Sequence, residues 1–230
     1  MSRFAYARRV IVAVAVCPPT PVLVPEVTGG SAPDLEPVRS ASHAAVARLV
    51  AGEPDLVVVL APGIDDEPKD GLAGGTLHGF GVDVRAGGDD LVLPYAHTIG
   101  AWLLDRAGWT GPRLHAGSPP EPLDGRVALL VLADGSARRS DRAPGHLDPR
   151  AEGFDRTVQT ALATGDVAAL ADLDLATAAE LMVGGATTLR AMAEVLAAPS
   201  GPRWTARLGY AGAPLGVGYW VADWSAGTEV

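Results

Sequence analysis

The side chains best suited to chemistry follow three apolar segments of the chain. Six polar residues stand just after these segments: Cys17, Thr20, Asp65, Asp66, Asp134 and Ser136. A tight transition-metal site needs several histidine, cysteine or carboxylate ligands around one ion. Aspartates with a single cysteine are a poor set for such a site. The sequence therefore favours a polar pocket here over a metal centre.

The sequence carries no complete nucleophile or nucleotide motif. Asp134-Gly135-Ser136 could hold a nucleophile, but it lacks the Gly-x-Ser-x-Gly pattern of a hydrolase elbow. A simple turn after a strand is the favoured interpretation. No Gly-x-x-x-x-Gly-Lys or Gly-x-Gly-x-x-Gly segment follows a strand and opens a helix, so nucleotide binding is unsupported.

The histidines do not have the spacing of a zinc site. The chain has five, at His43, His78, His97, His115 and His146, and no pair has a short helical spacing. His78 and His146 lie in polar segments beside glycines, which makes them pocket candidates, although loop histidines are usually just solvated. We expect His43 to be a solvated helix residue, because it lies off the apolar stripe of its helix.

Three short, uniformly apolar segments must position these side chains. Residues 10–16, 56–60 and 127–132 are apolar on both faces, which is typical of central strands in a parallel sheet covered on both sides. A helix predicted over 34–50 lies between the first two and completes a βαβ unit. Ligands usually bind at the carboxyl ends of such strands, so we expect the three loops to meet at one edge of the sheet.

The rest of the chain predicts a helical region closed by a hairpin. Before the third apolar segment we expect a glycine-rich loop, a strand, an extended piece, a helix and a turn-rich connection, over 63–76, 80–85, 91–94, 98–107 and 112–122. After it we expect four helices, over 148–163, 167–173, 176–182 and 187–197, with Asp166 and Asp174 as N-caps. Strands over 204–210 and 218–224 then form a hairpin.

These elements predict one α/β domain spanning 1–230, with a loose leader over 1–8. Its central sheet is mixed or mostly parallel, with helices on both faces, a helical C-terminal third and a terminal β-hairpin. We see no internal repeat and no low-complexity linker in the sequence.

Composition excludes several classes of function. The net charge is -9 and the pI about 4.9, which argues against nucleic-acid binding because phosphate contacts need clustered Lys and Arg. Cys17 is the single cysteine, so no internal disulfide can form, and we expect a cytoplasmic protein. Arginines before the first apolar run imitate a signal peptide, but a buried strand is favoured because the run is short. No stretch approaches the ~20 apolar residues of a membrane span, so no membrane partner is expected.

Several segments resemble one known family over nearly the whole chain. Residues 17–27, CPPTPVLVPEV, look like the C-P-H-P-P-L-L-[VI]-P-E opening of proteins similar to class III extradiol ring-cleavage dioxygenases. Ala133-Asp134-Gly135-Ser136 resembles the G-D-x-S-H segment of that superfamily. Further similarity lies in APGHLDPRAEGFD over 143–155, in the helical run with the Gly184-Gly185 pair, and in GVGYWV over 216–221. The likeness is strongest to an actinobacterial branch.

The resemblance implies a non-haem Fe(II) site, but its ligand positions hold other residues here. The enzymes of the family bind Fe(II) through two histidines and a glutamate. The first histidine position holds Pro19 and the second falls after Pro62, at Gly63. The acid–base histidine falls on Ala137, and the glutamate falls near Thr187 or Thr188, so the resemblance implies the fold without the iron chemistry.

We therefore expect an extradiol-dioxygenase-like protein without catalysis, a pseudoenzyme that binds a small molecule or a protein partner. No cofactor, metal ligand or catalytic residue is predicted, and the pocket candidates are Cys17, Thr20, Asp65, His78, Asp134, Ser136 and His146. One alternative is an active dioxygenase or hydrolase with a rearranged site made of His78, His146, Asp65 and Asp134. Another is a homo-oligomeric interaction protein, which exposed tryptophans at Trp204, Trp220 and Trp224 would support.

Overall fold

Uniformly apolar strands form the centre of a six-stranded sheet. The structure is a computed structural model that describes residues 10–30, 32–65, 67–120, 123–197 and 202–227. Its strands are β1 Val10–Cys17, β2 Leu56–Leu60, β3 Ala73–Thr76, β4 Arg85–Gly87, β5 Asp90–Leu91, β6 Arg113–Ala116, β7 Arg126–Leu132, β8 Trp204–Gly212 and β9 Tyr219–Ala226. Its helices are α1 Glu36–Ala51, α2 Tyr95–Arg106, α3 Ala151–Thr164, α4 Val167–Ala171, α5 Leu175–Glu180 and α6 Ala186–Leu196. The proposed leader over 1–8 lies outside the described residues.

The strand order of the main sheet is β6-β2-β7-β1-β9-β8. The first four strands are parallel, and β9 then pairs antiparallel with both β1 and β8. Parallel neighbours need crossover connections, and α1 supplies the one between β1 and β2. The predicted mixed, largely parallel α/β sheet and the terminal β8–β9 hairpin are confirmed.

Helices bury both faces of the sheet, which explains why its strands lack polar alternation. On one face, α1 and α2 pack over side chains such as Ala15 and Val59. On the other, α3 and α6 pack over the alternate side chains, such as Val16 and Leu60. Every one of these four strand side chains is 0% exposed. Successive strand residues point to opposite faces, so both faces had to be apolar.

The prediction of a strand over 80–85 is wrong. Phe80 ends a short 3-10 turn, His78–Phe80, and the extended chain lies on either side of it. β3, β4 and β5 form a separate three-stranded sheet in the order β4-β3-β5. β3 is obscured in the sequence because Gly74 and Gly75 have no β-propensity. Both glycines are needed there, since a Cβ on Gly75 would overlap the Thr98 side chain of α2 and one on Gly74 would overlap the Gly88 backbone.

The segment over 112–122, expected to be a turn-rich connection, also contains a strand. β6 is only four residues long, and prolines and glycines surround it. It becomes a strand by pairing in parallel with β2, where His115 lies opposite Val59. On its other side, Lys69 and His115 exchange backbone hydrogen bonds of 2.9 and 2.7 Å. These are tertiary partners that local propensity does not report.

The C-terminal helices lie close to their predicted positions. The carboxylates of Asp166 and Asp174 accept hydrogen bonds from the first backbone N–H groups of α4 and α5, as N-caps do. His43, expected to be solvated, is half-buried and its ring lies 5.3 Å from that of Trp102. No helix in the described segments is long and apolar enough to cross a membrane.

The tryptophans of the terminal hairpin are mainly core residues. Trp220 and Trp224 are each 2% exposed, and the Trp224 indole N–H donates to the Leu162 carbonyl of α3 at 2.8 Å. Trp204 is half-buried, with its ring 6.0 Å from that of Trp224. The proposed oligomerisation role therefore does not gain the exposed tryptophan face that would have supported it.

Candidate functional site at the carboxyl edge of the sheet

The ends of the central parallel strands meet at one edge, as expected. Cys17 at the end of β1 lies opposite Leu132 at the end of β7, and Leu60 of β2 lies opposite Val131. The Ala133 N–H donates to the Cys17 carbonyl at 2.9 Å, which ties the first and third loops together. The loops after β1, β2 and β7 therefore share this edge.

Cys17 and Ser136 lie in this region as buried structural groups. Cys17 is fully buried in the core, and burial raises the pKa of its thiol to about 12, so it stays protonated and unreactive. The Ser136 hydroxyl donates to the Leu181 carbonyl at 2.5 Å, and its N–H donates to the Asp155 carboxylate at 2.9 Å. Arg139 completes this anchor with a 2.7 Å bond to Asp155. Neither Cys17 nor Ser136 lines the open cleft described below.

Thr20 and Asp134 form a polar group around Tyr219 of β9. The Thr20 and Tyr219 hydroxyls are 3.3 Å apart, and Asp134 forms an isolated backbone bridge with Tyr219. Burial, with a further contribution from the negative charge of Asp155, raises the pKa of Asp134 to about 6. No side-chain cation pairs with Asp134 among the described residues. Asp134 is thus a poorly solvated carboxylate close to two hydroxyls.

The two loop histidines are engaged elsewhere. His78 is exposed, and its Nε2 lies 2.6 Å from the Asp83 carboxylate. His146 is exposed too, with its Nδ1 3.3 Å from the Asp141 carbonyl oxygen. Within the described ranges, no three His, Cys, Asp or Glu side chains come together in a way that could hold a metal ion. The rearranged set of His78, His146, Asp65 and Asp134 is therefore not assembled in this structure; Asp66 lies outside the described residues.

An open cleft of about 700 Å³ lies beside the ends of β2 and β6. Its walls are lined by Pro62, Ile64, Asp65, Pro68, Ala116, Gly117, Ser118, Pro119, Pro120, Gly184, Thr187 and Thr188. The volume is within the usual range for small-molecule sites. Prolines and Ile64 make one part apolar, and hydroxyls with the Asp65 carboxylate make another part polar. Asp65 is the one predicted pocket residue that lines it.

The first turn of α6 forms the polar wall of the cleft. Its N-cap is Gly185, which has no side chain to cap the helix. The Gly185 N–H donates to the Asp134 carbonyl, but the N–H groups of Ala186, Thr187 and Thr188 have no acceptor among the described residues. Three backbone donors are therefore available at this end of the helix.

Thr188 adds a buried hydroxyl to the same wall. The residue is 4% exposed and lines the cleft. Its hydroxyl makes no hydrogen bond within the described part of the chain, and it is not among the side-chain atoms fully cut off from solvent. The small exposed part of Thr188 therefore includes a hydroxyl that opens into the cleft.

A second group of unpartnered atoms lies behind the cleft, where His97 of α2 meets His115 of β6. Both residues are 0% exposed, and their ring centroids are 5.6 Å apart. His97 Nε2 lies 3.0 Å from the Ala61 carbonyl oxygen, so it carries the proton. His97 Nδ1 and both His115 nitrogens have no partner in the described structure. Burial lowers the pKa of His97 to about 4 and that of His115 to about 3, so both rings are neutral at pH 7.

Sequence reasoning misses both of these groups for identifiable reasons. His115 is hidden because the strand that buries it has the sequence pattern of a turn-rich connection. Thr187 and Thr188 stand out in the sequence only as the place of a missing glutamate, not as a site in their own right. The usable signal is a Gly184-Gly185 pair before a helix that begins without a capping side chain.

Comparison of the chain with protein-family models and with curated proteins finds no match. The function therefore has to be argued from the site itself.

Proposed function

We propose that this chain is an extradiol-dioxygenase-like protein that binds a small organic molecule in the α6 cleft and does not carry out ring cleavage. The observation that carries the proposal is the position of the cleft. Its walls contain Pro62 and Ile64, which flank the expected second histidine position at Gly63. They also contain Thr187 and Thr188, near the expected glutamate position.

The chemistry of these residues supports binding over metal catalysis. Glycine has no side chain to ligate a metal, and threonine hydroxyls are neutral donors and acceptors rather than anionic ligands. The same positions remain suited to hydrogen-bonding an organic ligand. The apolar wall provides the burial that ligand binding requires, and the hydroxyls provide orientation.

The test is ligand retention by the full chain. The protein is incubated with a deproteinised fraction of small metabolites, desalted, and weighed by native mass spectrometry. We expect a discrete added mass on the wild type and on Ser118→Ala, and its loss on Ser118→Trp, because an indole at the half-buried Ser118 would fill the cleft. Circular dichroism checks that the Trp variant is folded. Absence of an adduct on the wild type, or its persistence on Ser118→Trp, would refute the proposal.

A metal measurement tests the non-catalytic half of the proposal. The protein is purified anaerobically, incubated with Fe(II), desalted and analysed by plasma mass spectrometry. We expect far less than one iron per chain. Near-stoichiometric retention of iron would instead support the active, rearranged site.

A further inference from the structure

We propose that the cleft recognises the carboxylate of a monoanionic organic acid, held at the N-terminus of α6 by the N–H groups of Ala186, Thr187 and Thr188 and by the Thr188 hydroxyl. This inference rests on the proposed function and specifies the class of ligand.

The helix terminus provides the first part of the argument. The N–H groups of a first helical turn point beyond the N-terminus and carry its partial positive charge, which suits an anion. In α6 three of them have no acceptor among the described residues, and Gly185 provides no capping side chain. The helix has eleven residues, so its dipole is well developed.

Thr188 provides the second, independent part. A buried hydroxyl without a partner is unfavourable, and native structures usually satisfy it with protein, water or ligand. Thr188 is 4% exposed, lines the cleft and has no hydrogen-bond partner in the described segments. The hydroxyl and the backbone donors of the same turn together make a short row of donors on one wall.

The charges around the cleft select a monoanion over a dianion. No Lys or Arg lines the cleft among the described residues, whereas Asp65 does. The Asp134 carboxylate lies behind this wall, because a Cβ on Gly184 would be 2.5 Å from its Oδ1. A phosphate dianion would meet this negative potential without a neutralising side-chain cation, whereas a single carboxylate meets half the repulsion and gains the same donors. The prolines and Ile64 then contact the organic part of the ligand.

The experiment is an amide-resolved NMR titration of the full chain with three probes. These are cyclohexanecarboxylate, its neutral isostere cyclohexanecarboxamide, and inorganic phosphate. We expect the carboxylate to produce saturable shifts of the 186–188 amides, and the carboxamide and phosphate to bind at least tenfold more weakly. Thr188→Val should weaken carboxylate binding roughly tenfold, since a hydrogen bond to a charged group is lost, whereas Thr188→Ser should restore it.

A matched control is Thr157→Val, which changes an exposed helix threonine of α3 whose hydroxyl bonds only its own helix at Gly153. It should leave the titration unchanged. The inference is refuted if the carboxamide or phosphate binds as well as the carboxylate, if the shifts lie elsewhere, or if no shift occurs at tens of millimolar probe. If a metabolite is retained in the cleft but the 186–188 amides do not respond to carboxylate, the carboxylate inference fails while the proposed function stands.

Discussion

Acidification should destabilise the fold through its buried histidine pair, and the size of the effect can be worked out from the structure. The pKa of His97 is lowered from 6.5 to about 4, and that of His115 to about 3, in both cases chiefly by burial. The unfolded chain takes up these protons near pH 6.5, whereas the folded chain does so only near pH 3 to 4. Stability is therefore lost as the pH falls through this window, and the pair has little effect above it.

The magnitude follows from the linkage relation. Each pKa unit corresponds to ~1.4 kcal/mol, so one neutral buried histidine lowers the free energy of unfolding by ~2 kcal/mol between neutral pH and about pH 5. That is a large fraction of a typical domain stability of ~5–15 kcal/mol. The buried carboxylate of Asp134 acts in the opposite direction, so the effect of one histidine must be isolated by substitution.

The assay is urea unfolding of the wild type and of His115→Leu at about pH 7.5 and about pH 5. Leucine removes both unpartnered ring nitrogens and cannot be protonated. We expect His115→Leu to lose ~2 kcal/mol less than the wild type between the two pH values. His146→Asn is the control, because His146 is exposed and its φ of 55° suits asparagine. Equal pH dependence in the wild type and His115→Leu would refute the reasoning.

Three further predictions concern other buried positions. Gly75→Ala should destabilise the fold by ~1–3 kcal/mol, because its Cβ would overlap the Thr98 side chain, whereas Gly79→Ala, which meets nothing within 4 Å, should change it little; equal unfolding midpoints would contradict this. The thiol of Cys17, fully buried and with its pKa raised to about 12, should react with a thiol reagent only after denaturation, and rapid native-state labelling would count against its burial. Asp134→Asn should stabilise the protein by ~2 kcal/mol at neutral pH, because burial raises the carboxyl pKa from 3.8 to about 6, and this gain should vanish below about pH 4; a gain that persists in acid would contradict this sign.

The sequence predicts the elements whose patterns are local. β2 is predicted with its observed bounds, Leu56–Leu60, because a short, uniformly apolar run between turn signals is distinctive. The N-caps Asp166 and Asp174 are predictable for a similar reason, since the residue type that caps a helix stands beside the helix it caps. The meeting of the loops after β1, β2 and β7 also follows, because parallel strands present their carboxyl ends at one edge.

The tertiary structure decides the elements that depend on distant partners. β3 and β6 are strands because of what they pair with and pack against, and their glycines and prolines give the opposite local signal. The same is true of the candidate site. His115 is buried because β6 joins the edge of the sheet, and Thr188 opens into a cleft because α6 starts beside the end of β2.

The residues at the carboxyl edge show why this division is physical. Cys17, Thr20, Asp134 and Ser136 follow the correct strands, so chain order and sheet geometry determine their neighbourhood. Whether each side chain enters the core, bonds a neighbour or opens to solvent depends on packing against elements far away in sequence, such as Tyr219 for Thr20 and Leu181 for Ser136. Local pattern determines secondary structure and strand order, whereas the environment of a side chain is a property of the folded whole.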